Sequence, residues 1–296
     1  MKGISLNGLS TSMLFTVMAL LVFSSLPAQA AEHGDTLAKV KESGAMAIGY
    51  RKNSPPFSFV DGQGNPSGYS IDLCKRIASA VQKRLGIQEM AVTYVPLSAE
   101  QRFEAVTSGK VDIECGATTN TLSRQELVDF THITFVTGGT LLSLRSKPIR
   151  LMSDAGGKRI AVVAGTTTES ALKAFMGEAL INAELELVTE HGEGMRLLAE
   201  KKVDAFASDR LVLLGLVKNT GDASKFVVSD DFFSYEPYAL VVRRNDADFR
   251  LVANRALSDV FRNEQIGILY RKWFGVIGAR PSGLQMAVFH LQALPE

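Results

Sequence analysis

The sequence has almost no excess charge and few histidines. It contains 32 Lys and Arg against 31 Asp and Glu, so the formal net charge of the 296 residues is +1. That balance argues against nucleic acid as a partner, because nucleic-acid-binding proteins usually carry a basic surface. The four histidines (His33, His132, His191 and His290) are scattered and form no metal-ligand motif. We therefore predict neither a metal nor a cofactor.

Long apolar runs are also scarce, and the one that exists lies at the N-terminus. Lys2 precedes the apolar residues 13–23, and Ala28-Gln29-Ala30 fits the small-x-small rule for cleavage of a secretory signal. We interpret residues 1–30 as a signal peptide rather than an uncleaved anchor, because the apolar core is short for a membrane span. The mature protein is therefore expected to be soluble and exported.

Cysteine is limited to Cys74 and Cys115. Export would permit a disulfide. Cys74 falls on a predicted helix, however, whereas Cys115 ends a predicted strand. We therefore expect two buried thiols rather than a pair.

Motifs of common enzyme classes are missing as well. The sequence has no Gly-x-x-x-x-Gly-Lys-Ser/Thr loop and no His-Glu-x-x-His, and its Gly62, Gly64 and Gly68 do not have dinucleotide spacing. Ser170-Ala171-Leu172-Lys173 matches Ser-x-x-Lys, but the partner motifs of that class are absent from the sequence. We predict no catalytic residue from these patterns.

The most informative stretch of the sequence covers residues 111–126. Its apolar residues 111–115 predict a buried strand, and residues 116–120 form a loop rich in backbone N–H groups and hydroxyls. Thr121 or Ser123 then caps a helix that carries Arg124 in its first turn. Such a loop at a helix N-terminus favours an anion site, and Arg124 can clamp a carboxylate. In isolation, the pattern fits a surface arginine after a strand–helix connection equally well.

Strand and helix patterns alternate along the rest of the chain, which predicts an α/β fold with mainly parallel sheets and helices on both faces. Lys110-Val111-Asp112 and Lys202-Val203-Asp204 each precede a predicted strand, which indicates two similar lobes. Ligands of such sheets bind beyond the carboxyl ends of the strands. The polar residues predicted at those ends are Arg51, Arg102, Thr119, Arg124, Thr167, His191 and Asp209. A cleft between two facing lobes would bring them together.

Several motifs carry a family resemblance that spans nearly the whole mature chain. They are Gly68-Tyr69-Ser70-Ile71-Asp72-Leu73, residues 112–120 with Arg124, Gly165-Thr166-Thr167 and Lys272-Trp273-Phe274. Together they resemble the signature of bacterial extracellular solute-binding proteins for polar amino acids. The strings Glu-Cys-Gly-x-Thr-Thr-Asn and Glu-His-Gly make the sequence most similar to the glutamate/aspartate-binding proteins of ABC importers.

This resemblance implies a type II periplasmic-binding-protein fold, with two α/β lobes, a two-strand hinge and a ligand cleft between the lobes. Lobe 1 would comprise residues 31–139 and 242–296, and lobe 2 residues 140–241. The hinge would lie near Gly138-Gly139 and Pro237-Tyr238. A ligand would bridge the lobes and stabilise the closed form.

The resemblance also implies a function and a role for each site residue. The protein would be a monomer that captures glutamate or aspartate and delivers it to an ABC permease complex in the inner membrane. The α-carboxylate would contact Arg124, Thr119 and the backbone of Ala117, and the α-ammonium would contact Asp209 and Thr167. The side-chain carboxylate would contact the basic residues Arg51, Arg102 and a protonated His191.

Simpler interpretations stay open for some of these residues. Arg51 and Arg102 could be solvated loop arginines, and His191 could be a helix-capping loop residue. Ala99 and Ala117 stand where close relatives carry serine, which leaves glutamate, aspartate and other acidic compounds as candidates.

Other functions also stay open. The chain could bind another polar amino acid, or signal through a membrane partner. It could also be a secreted cyclohexadienyl or arogenate dehydratase on the same fold, with Glu190 or Asp209 as the general acid.

Overall fold

The computed structural model describes residues 35–263 and 265–296. These described residues belong to one compact unit. The predicted signal peptide, residues 1–30, lies outside the described residues. Within the described part of the chain, no helix has the length and apolar character that a membrane span requires.

Strands and helices alternate through the chain as the sequence predicts. The strands are β1 Ala45–Tyr50, β2 Asn53–Ser54, β3 Ser58–Val60, β4 Pro66–Ser67, β5 Ala91–Pro96, β6 Ile113–Glu114, β7 Val128–Thr137, β8 Gly139–Leu144, β9 Arg159–Val163, β10 Glu184–Val188, β11 Ala205–Asp209, β12 Phe226–Val228 and β13 Glu236–Arg243. The helices are α1 Thr36–Ser43, α2 Tyr69–Leu85, α3 Arg102–Thr107, α4 Leu122–Gln125, α5 Thr167–Glu178, α6 His191–Ala199, α7 Arg210–Asn219, α8 Ala247–Arg262, α9 Gln265–Trp273 and α10 Gly283–Gln292.

Two five-stranded sheets have the same plan. The first sheet has the order β5-β1-β6-β13-β7, with β5, β1 and β6 parallel and β13 antiparallel to both neighbours. The second has the order β10-β9-β11-β8-β12, with β10, β9 and β11 parallel and β8 antiparallel to both neighbours. The two Lys-Val-Asp motifs lead into β6 and β11, which are the central strands of the two sheets.

The chain passes between the sheets in two places. β7 belongs to the first sheet and β8 to the second, so Gly138 is the first connection. Residues 229–235 return the chain from β12 to β13. All of β13, including residues 236–241, pairs within the first sheet. The exact division of the chain into two lobes stays a prediction.

Amphipathic helices cover the sheets. The inner face of α2 consists of Ile71, Cys74, Ile77, Ala78 and Val81, which are all buried in the main core. Gly86 ends the helix in the left-handed conformation, with φ of 67°, which glycine adopts without a Cβ penalty. Burying this face is what holds α2 against the first sheet.

The two cysteines form a disulfide, so the expectation of two free thiols was wrong. Cys74 on α2 and Cys115 after β6 have Cα atoms 6.4 Å apart. The packing of α2 against the first sheet brings them together across 41 positions of sequence, which spacing alone could not show. The bond joins the helix directly to the residue before Gly116.

A C-terminal helix that the sequence patterns did not predict, α10, packs beside β7 and α8. The Gln285 side-chain Oε1 accepts a hydrogen bond of 2.8 Å from the backbone N–H of Val136, a residue of β7. β7 is one of the two edge strands of the first sheet. The helix therefore covers part of that edge.

Candidate functional site

The structure brings all eight predicted site residues to one small, enclosed cavity. Four further residues line it: Ser54, Thr166, Thr168 and Val212. Arg51 follows β1, Arg102 begins α3, and Ala117, Thr119 and Arg124 lie in the segment after β6. Thr167 begins α5, His191 begins α6 and Asp209 ends β11. The cavity thus lies at the carboxyl ends of the parallel strands of both sheets, as predicted.

Arg102 is a buried cation without a hydrogen-bond partner among the described residues. Its side chain packs against Phe103, with Cζ 4.8 Å from the ring centroid, and the residue is 4% exposed. Its Nε is buried and unpaired. Burial, and then the nearby Arg124, lower the pKa of Arg102 to about 9. Both effects leave the guanidinium in need of an anion.

Arg51 is buried too, but it already has an anionic partner. Its Nη2 donates to Oε2 of Glu190 over 3.0 Å, and this pair joins the end of β1 to the N-cap of α6. The sequence pattern left Arg51 for the side-chain carboxylate of a ligand and did not foresee this partner. A ligand anion would have to share Arg51 with Glu190.

Arg124 is held in place by the loop that precedes its helix. Its Nη1 donates to the backbone carbonyl of Thr119 over 2.8 Å, and its backbone N–H donates to Oγ1 of Thr121, the N-cap. The choice between Thr121 and Ser123 as the cap is therefore settled in favour of Thr121. Burial lowers the pKa of Arg124, and the carboxylate of Glu236 opposes that shift.

The loop after β6 is shaped by a glycine and a buried glutamate. A Cβ at Gly116 would lie 2.1 Å from Oε1 of Glu114, so a larger residue would require the Glu114 carboxylate to move. Glu114 accepts from Thr118 Oγ1 over 2.9 Å, while its Oε1 is buried and unpaired. Burial raises the pKa of Glu114, and Arg102 opposes the shift. The sequence placed Glu114 in a predicted strand and in a family motif but gave it no role in the site.

Asp209 is the buried acceptor at the opposite wall of the cavity. Its Oδ2 accepts a hydrogen bond from the phenol of Tyr238, and its Oδ1 is buried without a partner. Burial, and then the nearby Glu236, raise the pKa of Asp209 to about 7. A cationic donor placed at Oδ1 would favour the ionised form.

His191 lines the cavity in surroundings that favour its neutral form. Burial and the charges of Arg51 and Arg102 lower the pKa of His191 to about 3. Its Nδ1 lies 3.2 Å from Oγ of Ser54. In the absence of a ligand, the positive charge of the two arginines therefore disfavours the protonated histidine that the resemblance implies. His191 is also the first residue of α6 and not part of a loop.

Glu236 is a buried member of the site that the sequence patterns missed. It is 1% exposed and accepts from the hydroxyls of Thr119 and Thr167 at Oε2 and from Ser234 at Oε1. The available signal was its place beside Pro237 and Tyr238 in the predicted hinge. That signal could not show which side chains its carboxylate would meet.

The cavity can bind a ligand that carries both an anion and a cation. Arg102 and Arg124 supply charged donors, and Asp209 supplies an unpaired acceptor. Over residues 35–263 and 265–296, no group of three or more His, Cys, Asp or Glu side chains has a metal-binding arrangement. The chemistry offered is recognition of a zwitterion by charged hydrogen bonds.

A family model agrees with this geometry. The model of "Bacterial extracellular solute-binding proteins, family 3" matches residues 46–276, which include every residue of the cavity. Its end at residue 276 leaves α10 outside the matched region.

Curated relatives and solved structures give the same picture. The chain is 35% identical to the L-glutamate/L-aspartate-binding protein of Pseudomonas aeruginosa over 90% of this chain and 88% of that protein. It is 31% identical to the glutamate/aspartate import solute-binding protein of Salmonella typhimurium, over 81% of this chain and 80% of that protein. The crystal structure of the solute receptor for L-cysteine of Neisseria gonorrhoeae is 25% identical and superimposes with a TM-score of 0.72, covering 83% of this chain and 98% of that one.

Proposed function

Because the chain belongs to the bacterial extracellular solute-binding proteins, family 3, we propose that it captures glutamate or aspartate and delivers it to the permease of an ABC importer. It has the type II periplasmic-binding-protein fold and is an amino-acid-binding protein rather than an enzyme. The proposal therefore concerns which amino acid it binds and which residues bind it.

The observation that carries the choice of an acidic amino acid is the unpaired Arg102. A buried guanidinium without a carboxylate is costly, and a neutral ligand side chain would leave that cost in place, at about 2–5 kcal/mol. A carboxylate on the ligand side chain, placed at Arg102, removes this cost. The relatives from Pseudomonas aeruginosa and Salmonella typhimurium, whose names give glutamate and aspartate, support this assignment.

The remaining roles follow from charge. Arg124 and the backbone N–H of Ala117 would hold the α-carboxylate, and Asp209 would accept from the α-ammonium. Arg51 and His191 would complete the pocket for the ligand side chain, with His191 as a neutral hydrogen-bonding group. Together these residues replace the water that each charged group of the ligand loses on binding.

The proposed setting is the periplasm. Residues 1–30 would act as a signal peptide that is removed on export, and the mature protein would be a monomer that closes around its ligand and docks on an inner-membrane permease. The sequence pattern of residues 1–30 and the family membership support this setting.

One observation favours a second candidate, a neutral polar amino acid such as glutamine. Arg51 is already paired with Glu190 over 3.0 Å, and the side chains of Glu114, Asp209 and Glu236 add further acidic groups at the site. A ligand side chain with hydrogen-bonding groups but no charge would disturb this balance of acidic and basic side chains least.

Isothermal titration calorimetry of the mature protein with each of the twenty amino acids distinguishes the two candidates. We expect glutamate or aspartate to bind at least about 30-fold more tightly than glutamine, which corresponds to about 2 kcal/mol. If glutamine binds as tightly or more tightly, the neutral amino acid becomes the proposed ligand and the acidic assignment is refuted. No binding by any of the twenty would refute the proposal.

A further inference from the structure

We propose that a second cavity, beside the two connections between the sheets, is a binding site for a small aromatic carboxylate. The cavity has a volume of about 590 Å³, within the range of roughly 300–1,000 Å³ that is usual for small-molecule sites. It shares no lining residue with the cavity described above. The inference therefore does not depend on which amino acid the protein binds.

The walls of the second cavity come from distant parts of the chain. Gly138 belongs to the first connection between the sheets, and Phe232 and Tyr235 belong to the second. Helix α7 contributes Arg210, and residues 277–285 supply the remaining wall. That last wall lies beyond residue 276, where the match to the family model ends. The complete cavity is thus not a feature of the matched family region alone.

The charged side chains at the second cavity are all positive. Arg210 and Arg280 line it, and no acidic residue does so among the residues that the structure describes. Arg210 Nη1 donates to the backbone carbonyl of Ser229 over 3.0 Å, which positions the guanidinium without neutralising it. Within the described part of the chain, neither arginine takes part in an ion pair. An anion would supply the missing negative charge.

The side-chain amide of Gln285 offers an unused donor at the same wall. The residue is 2% exposed, and its Oε1 accepts from the backbone N–H of Val136 over 2.8 Å. Because that N–H can only donate, it fixes which end of the amide is the oxygen. The opposite atom, Nε2, is buried and has no partner among the described residues. A buried donor of this kind is costly until an acceptor such as a carboxylate oxygen reaches it.

Helix α10 begins at the second cavity and adds to this preference for an anion. Its N-cap, Ser282, lines the cavity, and the Ser282 Oγ accepts from the backbone N–H of Gln285 over 3.1 Å. The N-terminal end of a helix carries a partial positive charge. The arginines, the amide and the helix end therefore favour the same sign of ligand charge.

Aromatic rings determine the body of the ligand. Phe135 and Tyr270 are stacked with their ring centroids 6.0 Å apart, and both line the second cavity. Phe232 and Tyr235 line it too, but they are 52% and 60% exposed. A ligand ring would cover those exposed faces, and ring pairs contribute beyond the area that they bury. The geometry therefore favours an aryl group over an alkyl chain.

The experiment is an NMR titration of nitrogen-labelled mature protein with three probes. Hydrocinnamate has the ring and the carboxylate, hydrocinnamyl alcohol has the ring alone, and hexanoate has the carboxylate alone. We expect hydrocinnamate to shift the backbone amides of Gly138, Gly278 and Ala279 with a dissociation constant below about 1 mM. The alcohol should bind about tenfold more weakly, because it cannot form charged hydrogen bonds, and hexanoate several-fold more weakly.

Two variants test the anion-binding side chains. Gln285→Glu keeps the acceptor for Val136 but replaces the free donor with a negative charge, and Arg210→Gln removes a cation. Each should weaken hydrocinnamate about tenfold, whereas the exposed control Arg150→Gln should not change its affinity. If Gln285→Glu does not fold, as judged by circular dichroism, Arg210→Gln carries the test.

Several results would overturn the inference. They are shifts that do not saturate, shifts confined to the amides of residues 166–168 in the other cavity, equal binding of the acid and the alcohol, and hexanoate binding as tightly as hydrocinnamate. Unchanged hydrocinnamate affinity in folded Arg210→Gln and Gln285→Glu proteins would overturn it as well. Calorimetry with amino acids tests the proposed function separately, so either proposal can fail while the other stands.

Discussion

Arg51 and Glu190 form an ion pair between the segment after β1 and the start of α6, with 3.0 Å between Nη2 and Oε2. The arginine side chain is 4% exposed and the glutamate side chain 29%. The pair joins the loops of the two sheets across the cavity. It also places a carboxylate of the protein next to a cation that an acidic ligand would use.

Replacing Glu190 should therefore strengthen binding of an acidic ligand. In Glu190→Gln, Arg51 no longer has an anionic partner, and glutamate affinity should rise by roughly threefold to tenfold, as expected for a partly exposed pair worth about 1 kcal/mol. Calorimetry at low and high salt measures the change, with Glu186→Gln as control. Weaker binding in Glu190→Gln would mean that the pair supports the ligand instead of competing with it.

Replacing Arg102 should lower the selectivity for acidic ligands and at the same time raise the stability of the ligand-free protein. In Arg102→Met, glutamate should bind at least about 30-fold more weakly, whereas glutamine should change little. The thermal midpoint of the ligand-free protein should rise, because an unpaired buried charge is removed. Calorimetry and scanning fluorimetry test both, with exposed Arg150→Met as control. A parallel loss of glutamate and glutamine binding would show that Arg102 does not select for acidity.

Ligand affinity should increase with pH because of Asp209. Its pKa is raised to about 7, so below pH 7 the carboxyl is mostly protonated and cannot accept fully from an ammonium group. Between pH 5 and pH 8 glutamate affinity should rise on the order of 100-fold, in proportion to the ionised fraction.

Calorimetry across this pH range tests both the sign and the size of the change in glutamate affinity. His191→Asn should keep the profile, because that imidazole is already neutral over the whole range, whereas Asp209→Asn should flatten it. Affinity that falls from pH 6 to pH 8 would instead indicate a protonated histidine in the site.

Loss of the disulfide should lower stability by about 2–4 kcal/mol, since it closes a long loop of the unfolded chain. For a protein of this size the thermal midpoint should fall by roughly 5–10 °C in dithiothreitol. Cys74→Ala/Cys115→Ala should show the lower midpoint without reductant and no further response to it. A midpoint that does not respond to complete reduction, verified by thiol counting, would contradict this.

Residue type and strand order were enough to predict which residues would meet at the cavity. Arg51, Thr167 and Asp209 each follow or end a strand, and in parallel sheets those ends meet at one edge. The positions of these three residues therefore followed from the order of the strands alone. The family resemblance then supplied the pairing of two such edges.

Sequence order could not supply the contacts that side chains make across the cavity. Glu190 lies in a predicted loop and Glu236 beside the predicted hinge, yet Glu190 pairs with Arg51 and Glu236 with Thr119, both more than 100 residues away in the chain. For the same reason the sequence could not show that Arg51 and Arg102 lower the pKa of His191. The bond between Cys74 and Cys115 was missed because only packing shows it.

The hydrogen bond from Val136 to Gln285 has a consequence for the protein in crowded solution. An uncovered edge strand can pair with the edge of another molecule and start a polymer. By occupying one backbone donor of β7, α10 makes that strand a poorer template for a second copy. Helix α10 would then oppose self-association through this edge of the sheet, whether or not a ligand occupies the cavity.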